Sequence, residues 1–148
     1  MRETARRSFE IPPGAAFVGL VAVLATVSGC AAVNDVAYGR SEATYDNVQT
    51  LIEARGAAPD WLPADAREIE RSSSTRADDT ESLLFTSDSA LAGCETVERQ
   101  SAPTMDIDAA PDVYTIDQVE LCGTWAVAES DGTYYAWTPA TEADAATP

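Results

Sequence analysis

Hydrophobic residues recur with a helical period through positions 41–55. Ser41 precedes the first of them, and its side chain is suited to capping a helix N-terminus. Gly56 follows the last, and glycine accepts the positive φ of a helix end at little steric cost. The apolar positions share one face, and they are Tyr45, Val48, Leu51 and Ile52. The pattern predicts an amphipathic helix over residues 41–55.

Shorter apolar or alternating runs follow, and these are typical of strands. The run Leu83-Leu84-Phe85 predicts a buried strand, and Asp78 and Asp79 mark the turn before it. Residues 90–97 fit neither a helix nor a strand clearly. Strands are predicted over residues 69–75, 82–86, 113–121, 124–130 and 133–138.

The last two of these strands flank Asp131-Gly132, a dipeptide that favours a two-residue hairpin turn. In that register one face of the hairpin carries Trp125, Val127, Tyr134 and Ala136, and the other carries Ala126, Ala128, Tyr135 and Trp137. Both faces are partly apolar. We therefore expect one face to lie against the helix and the other to be partly exposed.

One helix followed by strands, without strand–helix alternation, indicates an α+β domain. We predict a single domain over residues 41–138, in which the N-terminal helix packs on a small antiparallel sheet that ends in the aromatic β-hairpin. The total length of 148 residues leaves room for one domain. Residues 139–148 are rich in Ala, Thr and acidic residues and predict a disordered tail.

The N-terminus has the pattern of an export signal. Arg2, Arg6 and Arg7 precede an uncharged apolar run over residues 15–27. Those 13 residues are too few for a membrane-spanning helix, which takes about 20 residues. Residues 1–29 are therefore predicted to be a signal peptide that is removed.

The apolar run ends in Val27-Ser28-Gly29-Cys30, which resembles the lipobox of bacterial lipoproteins. The resemblance implies that Cys30 receives a diacylglycerol thioether and becomes the mature N-terminus. The chain would then sit on the extracytoplasmic face of the cell membrane, with residues 30–40 as a short tether. An ordinary secretory signal with a chance cysteine, or an uncleaved anchor, are the alternatives.

Two further resemblances concern the export signal and the group of bacteria in which similar lipoproteins occur. Arg6-Arg7-Ser8-Phe9 looks like the twin-arginine export motif, although Glu10 and Ile11 depart from it. The route of export therefore stays open. The spaced cysteines, the aromatic hairpin and the exclusive use of arginine over lysine look like small lipoproteins of high-GC Gram-positive bacteria, a resemblance that implies no activity.

The chain has three cysteines, an odd number that needs explaining in an exported protein. If Cys30 carries the lipid, Cys94 and Cys122 are left and are expected to form a disulfide outside the cytoplasm. The bridge would close a loop of about 29 residues and stabilise the fold by ~3.5 kcal/mol. Two buried free thiols are the alternative.

Charge and composition exclude several functions. The net charge of −16 argues against nucleic acid or an anionic bilayer as an electrostatic partner. The chain lacks histidine and lysine, so it lacks the commonest general base, the commonest metal ligand and the Schiff-base nucleophile. Removing residues 1–29 leaves six arginines and 23 acidic residues, a net charge of −17.

Catalytic and metal sites are not predicted. The hydroxyls of Ser72, Ser73 and Ser74 have no histidine to activate them. Acidic pairs near tryptophans would suit a carboxylate-dependent hydrolase of envelope polysaccharide, which is the alternative function. Acidic loops, one over residues 106–112 and one over residues 78–81, lack the spacing of a known calcium loop. No cofactor is predicted.

Binding is the function that the sequence favours. Aromatic residues are enriched at protein interfaces and also stack on sugars. Most aromatics of the hairpin are expected in the core, and the possible contact residues are Trp61, Trp125, Tyr135 and Trp137. We therefore expect a non-catalytic binding or accessory module, held to the lipid bilayer by acylated Cys30, whose partner is an envelope protein or a glycan.

Overall fold

A computed structural model describes residues 38–145 of the chain. Seven strands, two short α-helices and one 3-10 turn make up this part. The strands are β1 (Arg40–Asn47), β2 (Arg67–Ser74), β3 (Glu81–Thr86), β4 (Glu95–Glu98), β5 (Gln118–Cys122), β6 (Trp125–Ser130) and β7 (Thr133–Thr138). The helices are α1 (Val48–Arg55) and α2 (Glu142–Ala145), and the 3-10 turn is Val113–Thr115.

All strands join one sheet in the order β1-β2-β3-β7-β6-β5-β4, and every neighbouring pair is antiparallel. The predicted antiparallel sheet is thereby confirmed. The hairpin of β6 and β7 lies in its interior, where Asp131 and Gly132 both have positive φ, at 52° and 76°. This is the turn geometry that the Asp-Gly dipeptide favours.

The prediction of an N-terminal helix from Ser41 is wrong. Arg40–Asn47 form β1 and pair along β2, because hydrogen bonding to a neighbouring strand satisfies this backbone in place of helical bonds. The helix begins only at Val48. Its cap is Asn47, whose side chain accepts a hydrogen bond from the backbone N–H of Thr50 at 3.0 Å. Gly56 ends the helix with a φ of 87°, as its position indicated.

Only the second part of the strand predicted over residues 113–121 is a strand, because the first part forms a 3-10 turn. Asp112 accepts a hydrogen bond from the backbone N–H of Tyr114 at 3.0 Å, and the chain makes a 3-10 turn there. Only Gln118–Cys122 continue as β5. The ambiguous residues 90–97 contribute to β4, which begins at Glu95.

Both faces of the sheet are covered. On the first face, α1 and the segment around Trp61 pack over the sheet and bury residues such as Leu51, Ile69 and Phe85. On the second face, the long loop of residues 99–117 and the C-terminal segment bury Tyr135 and Trp137. The two hairpin faces divide between these clusters as predicted, but the second is buried rather than partly exposed.

A disulfide joins Cys94, just before β4, to Cys122 at the end of β5, with their Cα atoms 4.4 Å apart. This confirms the predicted pairing. The bridge holds the loop between β3 and β4 against the edge of the sheet. Because β4 is only four residues long, the covalent link supplements a short run of strand hydrogen bonds.

Ala140 and Ala143, which the sequence placed in a disordered tail, pack on the second face of the sheet. Ala140 is buried, and its backbone N–H donates to the carbonyl oxygen of Thr124 at 2.9 Å. Glu142 is buried with only 2% of its surface exposed. The carboxylate of Glu142 accepts three hydrogen bonds, described below, that hold this segment in place.

The signal peptide, the lipobox residues Val27, Ser28 and Gly29, and Cys30 all lie outside the described residues, as does most of the predicted tether. Between residues 38 and 145, no helix is both long enough and apolar enough to cross a membrane.

Candidate functional site

The end of the sheet at which β1 begins brings several turns together. Strand pairing aligns Arg40 with Ser74 and then Glu81 with Thr138. Farther along the sheet, Cys122 is opposite Trp125. We call this the Arg40 end of the sheet. The turn between β2 and β3, the turn between β5 and β6, and the disulfide all lie there.

An open groove runs across the Arg40 end, and we call it the Trp125 groove. One part has a volume of about 520 Å³ and is lined by Trp61, Trp125, Ala92 and the disulfide residue Cys122, among others. Pro59, Thr124 and Trp125 also line the second part, of about 360 Å³. The second part adds charged residues, which are Arg55, Asp78, Asp79 and Glu81.

Trp61 and Trp125 form the apolar floor of the groove. Their rings meet edge to face with centroids 5.4 Å apart, and Trp61 also packs against Phe85 at 6.2 Å. Only 7% and 9% of their surfaces are exposed. Little of either ring is therefore open to the groove.

The indole N–H of Trp61 is a buried donor without an acceptor among the described residues. An unsatisfied buried donor costs about 1–3 kcal/mol. The Nε1 atom is also closed to solvent, so the missing hydrogen bond is a cost of packing the Trp61 ring into the core.

An ion triad centred on the buried Glu81 lies at one wall of the groove, which Glu81 and Arg55 line. Glu81, only 5% exposed, receives Arg55 Nη2 on one carboxylate oxygen and Arg71 Nε on the other, the latter at 2.6 Å. A buried carboxylate is tolerated when groups of opposite charge pair with its oxygens. Both oxygens of Glu81 are thus engaged by the protein itself.

The rim of the groove is acidic. Asp60, Asp78 and Asp79 are exposed, and none of them forms an ion pair within residues 38–145. Arg55 and Arg71 share the single negative charge of Glu81, so the ion triad keeps one positive charge and offsets only one of the three rim carboxylates. The groove therefore presents negative charge around an apolar floor.

The predicted contact aromatics separate into two places. Trp61 and Trp125 line the Trp125 groove. Tyr135 and Trp137 lie on the other face, 3% and 1% exposed, and serve packing. The indole N–H of Trp137 donates to Ser101 Oγ at 2.8 Å. Burial raises the pKa of Tyr135, whose hydroxyl donates to the Met105 carbonyl oxygen at 3.4 Å.

Glu142 has a structural role that the sequence analysis missed. Its carboxylate accepts hydrogen bonds from the backbone N–H groups of Gln100 at 2.7 Å and Ser101 at 2.9 Å, and from the Ser101 hydroxyl. Burial alone would raise the pKa of Glu142, but these hydrogen bonds outweigh burial and lower it. No local pattern marks such a residue, because its donors lie more than 40 residues away in the chain.

Two acidic residues of the loops considered for calcium have structural roles. Asp112 caps the 3-10 turn, and Glu81 belongs to the ion triad. Over residues 38–145, no three acidic or cysteine side chains are grouped as a metal site would require. The serines have structural contacts as well, since Ser72 Oγ accepts a hydrogen bond from Arg40 Nε at 2.8 Å.

The chain matches no protein-family model, no curated protein and no solved structure. Two features of the described part bear on function. One is the disulfide at the Arg40 end of the sheet, and the other is the acidic Trp125 groove beside it.

Proposed function

We propose that the protein is a lipoprotein anchored to the extracytoplasmic face of the cell membrane, where its domain acts as a non-catalytic binding or accessory module of the cell envelope. One observation carries the proposal. Cys94 and Cys122 are joined to each other, so Cys30 is the one cysteine left over. It stands where the lipobox-like sequence ends.

The disulfide also supports the location. Such bridges form and persist in oxidising compartments and are rare in the cytoplasm. A disulfide between Cys94 and Cys122 therefore suits a domain that is exported. The uncharged run of 13 residues before the lipobox has the length of a signal-peptide core, which agrees with export.

A lipid on Cys30 would keep the domain near the bilayer. A diacylglycerol group supplies two acyl chains, which is what stable anchoring takes. Residues 31–39 separate Cys30 from the start of β1, and a fully extended chain of that length spans about 32 Å. The start of β1 would therefore lie within about 32 Å of the lipid-bearing residue.

The Trp125 groove supports binding more than catalysis. Its buried carboxylate, Glu81, has both oxygens committed to Arg55 and Arg71. The chain has no histidine or lysine to transfer a proton in its place. An apolar floor with an acidic rim is an arrangement for holding a partner.

Replacing Cys30 tests the anchor. In cells that make the full chain, we expect the wild-type protein in the detergent phase of a phase-partition assay. Cys30→Ser should appear in the aqueous phase or accumulate as the longer precursor. The double variant Cys94→Ser/Cys122→Ser is the matched control, since it removes two cysteines but keeps Cys30. A processed Cys30→Ser protein that stays in the detergent phase would refute the anchor.

The alternative is a carboxylate-dependent hydrolase or binder of envelope polysaccharide. Its specific support is the position of Asp78 and Asp79 beside Trp125 in the groove. A reducing-end assay on cell-wall polysaccharide separates the two functions. The binding module predicts no release of sugar ends by the wild-type protein. Turnover that disappears in Asp78→Asn or Asp79→Asn, with the fold intact, would establish the hydrolase instead.

A further inference from the structure

We propose that the protein forms a two-fold symmetric dimer, in which the β1 strands of two copies pair antiparallel about Ala43 and join two seven-stranded sheets into one. The dimer goes beyond the function proposed above and does not depend on the lipid. Three features support it, which are the open edge of β1, the direction of its backbone groups and the order of its charges.

Strand β1 is an edge strand with an open side. It is the first strand of the sheet, and no other strand of residues 38–145 pairs with that side. It is eight residues long, contains no proline and keeps a single register with β2. The opposite edge strand, β4, has only four residues. A long and regular edge is a template for a further strand.

The helix α1 leaves this edge uncovered. It begins at Val48, directly after β1, and its last residue, Arg55, pairs with Glu81 in β3. The helix therefore runs from the edge toward the interior of the sheet. Tyr38, just before β1, is a large apolar residue that is 73% exposed. The edge is thus open to another chain and has an apolar residue at its start.

The backbone groups on the open side follow from the pairing on the other side. The Gly39 carbonyl oxygen accepts a hydrogen bond from the Thr75 N–H at 2.9 Å, so the polar groups of Gly39 point toward β2. In an antiparallel ladder this direction alternates from residue to residue. The N–H and C=O groups on the open side therefore belong to Arg40, Glu42, Thr44 and Asp46. Pairing about Ala43 joins Arg40 with Asp46 and Glu42 with Thr44, so these groups meet.

The order of charges along β1 selects this register. With the symmetry axis at Ala43, Arg40 lies opposite Asp46 of the second copy on both sides of the axis. An axis at Glu42 would place Glu42 opposite itself, and an axis at Thr44 would place Glu42 opposite Asp46. Opposite charges across a strand pair stabilise it, and like charges destabilise it. Charges that deter edge pairing in other registers are therefore complementary in this one.

Cysteine crosslinking of the purified full chain tests the dimer. Cys30→Ser is the background, so that no free thiol remains beside the Cys94–Cys122 bridge. At the axis, Ala43 faces its copy as a non-hydrogen-bonded pair, whose Cα atoms lie about 4.5 Å apart and within the range of a disulfide. Mild oxidation of Ala43→Cys should therefore give a covalent dimer on a non-reducing gel.

Ser41→Cys is the matched control on the same strand and the same face. In the proposed register Ser41 lies opposite Tyr45, and the Cα atoms of the two Ser41 residues are about 13 Å apart, too far for a disulfide. This variant should stay monomeric under the same oxidation. Equal dimer formation at positions 41 and 43 would indicate random collision and would overturn the inference.

A charge variant tests the register. In the Ala43→Cys background, Asp46→Arg places like charges opposite each other in both pairs, and crosslinking should slow by about tenfold. Asp117→Arg is the control, since Asp117 is exposed just before β5 and the substitution changes the net charge equally. The control should crosslink at least as fast as Ala43→Cys alone, because it lowers the repulsion between two acidic chains. Equal rates in the two charge variants would overturn the inference.

Sedimentation equilibrium of Cys30→Ser in a density-matched detergent measures the dimer without an added cysteine. Its mass should rise from that of one chain toward that of two as the protein concentration increases. The mass of one chain at every concentration would overturn the inference and leave the β1 edge to a strand of a different protein.

Discussion

Glu142 fastens the C-terminal segment to the long loop of residues 99–117 through hydrogen bonds to its carboxylate. Two backbone N–H groups and one hydroxyl converge on its carboxylate, and the Ser101 hydroxyl among them also accepts from Trp137. Charge-assisted hydrogen bonds of this kind are stronger than neutral ones. One residue beyond the last strand thereby joins the long loop of residues 99–117 to β7.

We predict that Glu142→Gln lowers the free energy of unfolding by about 1–3 kcal/mol, because the amide NH₂ faces donors and leaves them unsatisfied. Urea unfolding measures the change. Asp144→Asn is the matched control, since Asp144 is exposed in the same short helix, and it should change stability by less than about 0.5 kcal/mol. Equal stability of both variants would contradict the role of Glu142.

Glu142 also predicts a dependence on pH. Its pKa is lower in the folded protein than its ordinary value of 4.5, chiefly because hydrogen bonds outweigh burial. The stability it contributes is therefore present above that ordinary value and is lost as the pH falls through the lower folded pKa. We expect acid unfolding curves of Glu142→Gln to be less steep in this range than those of the wild type. Parallel curves would contradict the assignment.

Glu81→Gln should be more damaging than removal of an exposed acid. The substitution leaves Arg55 and Arg71, which are partly exposed, without their shared counter-charge, and we expect it to cost about 1–3 kcal/mol. Glu95→Gln is the control, because Glu95 is exposed and accepts no side-chain hydrogen bond in the described structure. Thermal unfolding of the two variants makes the comparison. A Glu81→Gln protein as stable as the control would show that the triad contributes nothing.

At the scale of elements, local and distant interactions differ in how far they can be predicted. The β6–β7 hairpin follows from a dipeptide and an alternating pattern, and both are visible in a few residues. The strand β1 does not, because its conformation depends on pairing with β2 some 30 residues later. The helix α1 ends before Gly56 as predicted, but the first half of the predicted helix belongs to strand β1.

The corrected boundary between β1 and α1 can be tested at two side chains. Asn47→Ala should cost about 1 kcal/mol, since it removes the cap of α1. Ser41→Ala should cost less than about 0.5 kcal/mol, because the Ser41 side chain is at a strand position and caps no helix. Chemical unfolding distinguishes them. A larger loss at Ser41 than at Asn47 would restore the longer helix.

At the scale of the whole molecule, the disulfide and the groove share one end of the sheet. The cysteine pairing was predictable from an odd count and a lipobox-like sequence. The groove was not, because it assembles Trp61, Asp78 and Trp125 from three separate segments. The split of the hairpin aromatics across two faces was predictable from the alternating register. The burial of the second face was not, since sequence spacing does not say which segments cover a sheet.

The disulfide should account for a large share of the stability. Cys94→Ser/Cys122→Ser is expected to lower the free energy of unfolding by ~3.5 kcal/mol, from the loop that the bridge closes. A reducing agent should lower the melting temperature of the wild type and leave that of the double variant unchanged. A wild-type protein that is insensitive to reductant under conditions that reduce the bridge would contradict this prediction.

The central claim is that Cys30 carries the lipid, and the mass of the mature N-terminal peptide tests it most directly. The protein is extracted from membranes and digested, and the peptide that begins at Cys30 is measured by mass spectrometry. The proposal predicts a peptide that starts at Cys30 and is heavier by a thioether-linked diacylglycerol. A peptide that retains residues before Cys30, or begins there with an unmodified thiol, would contradict it.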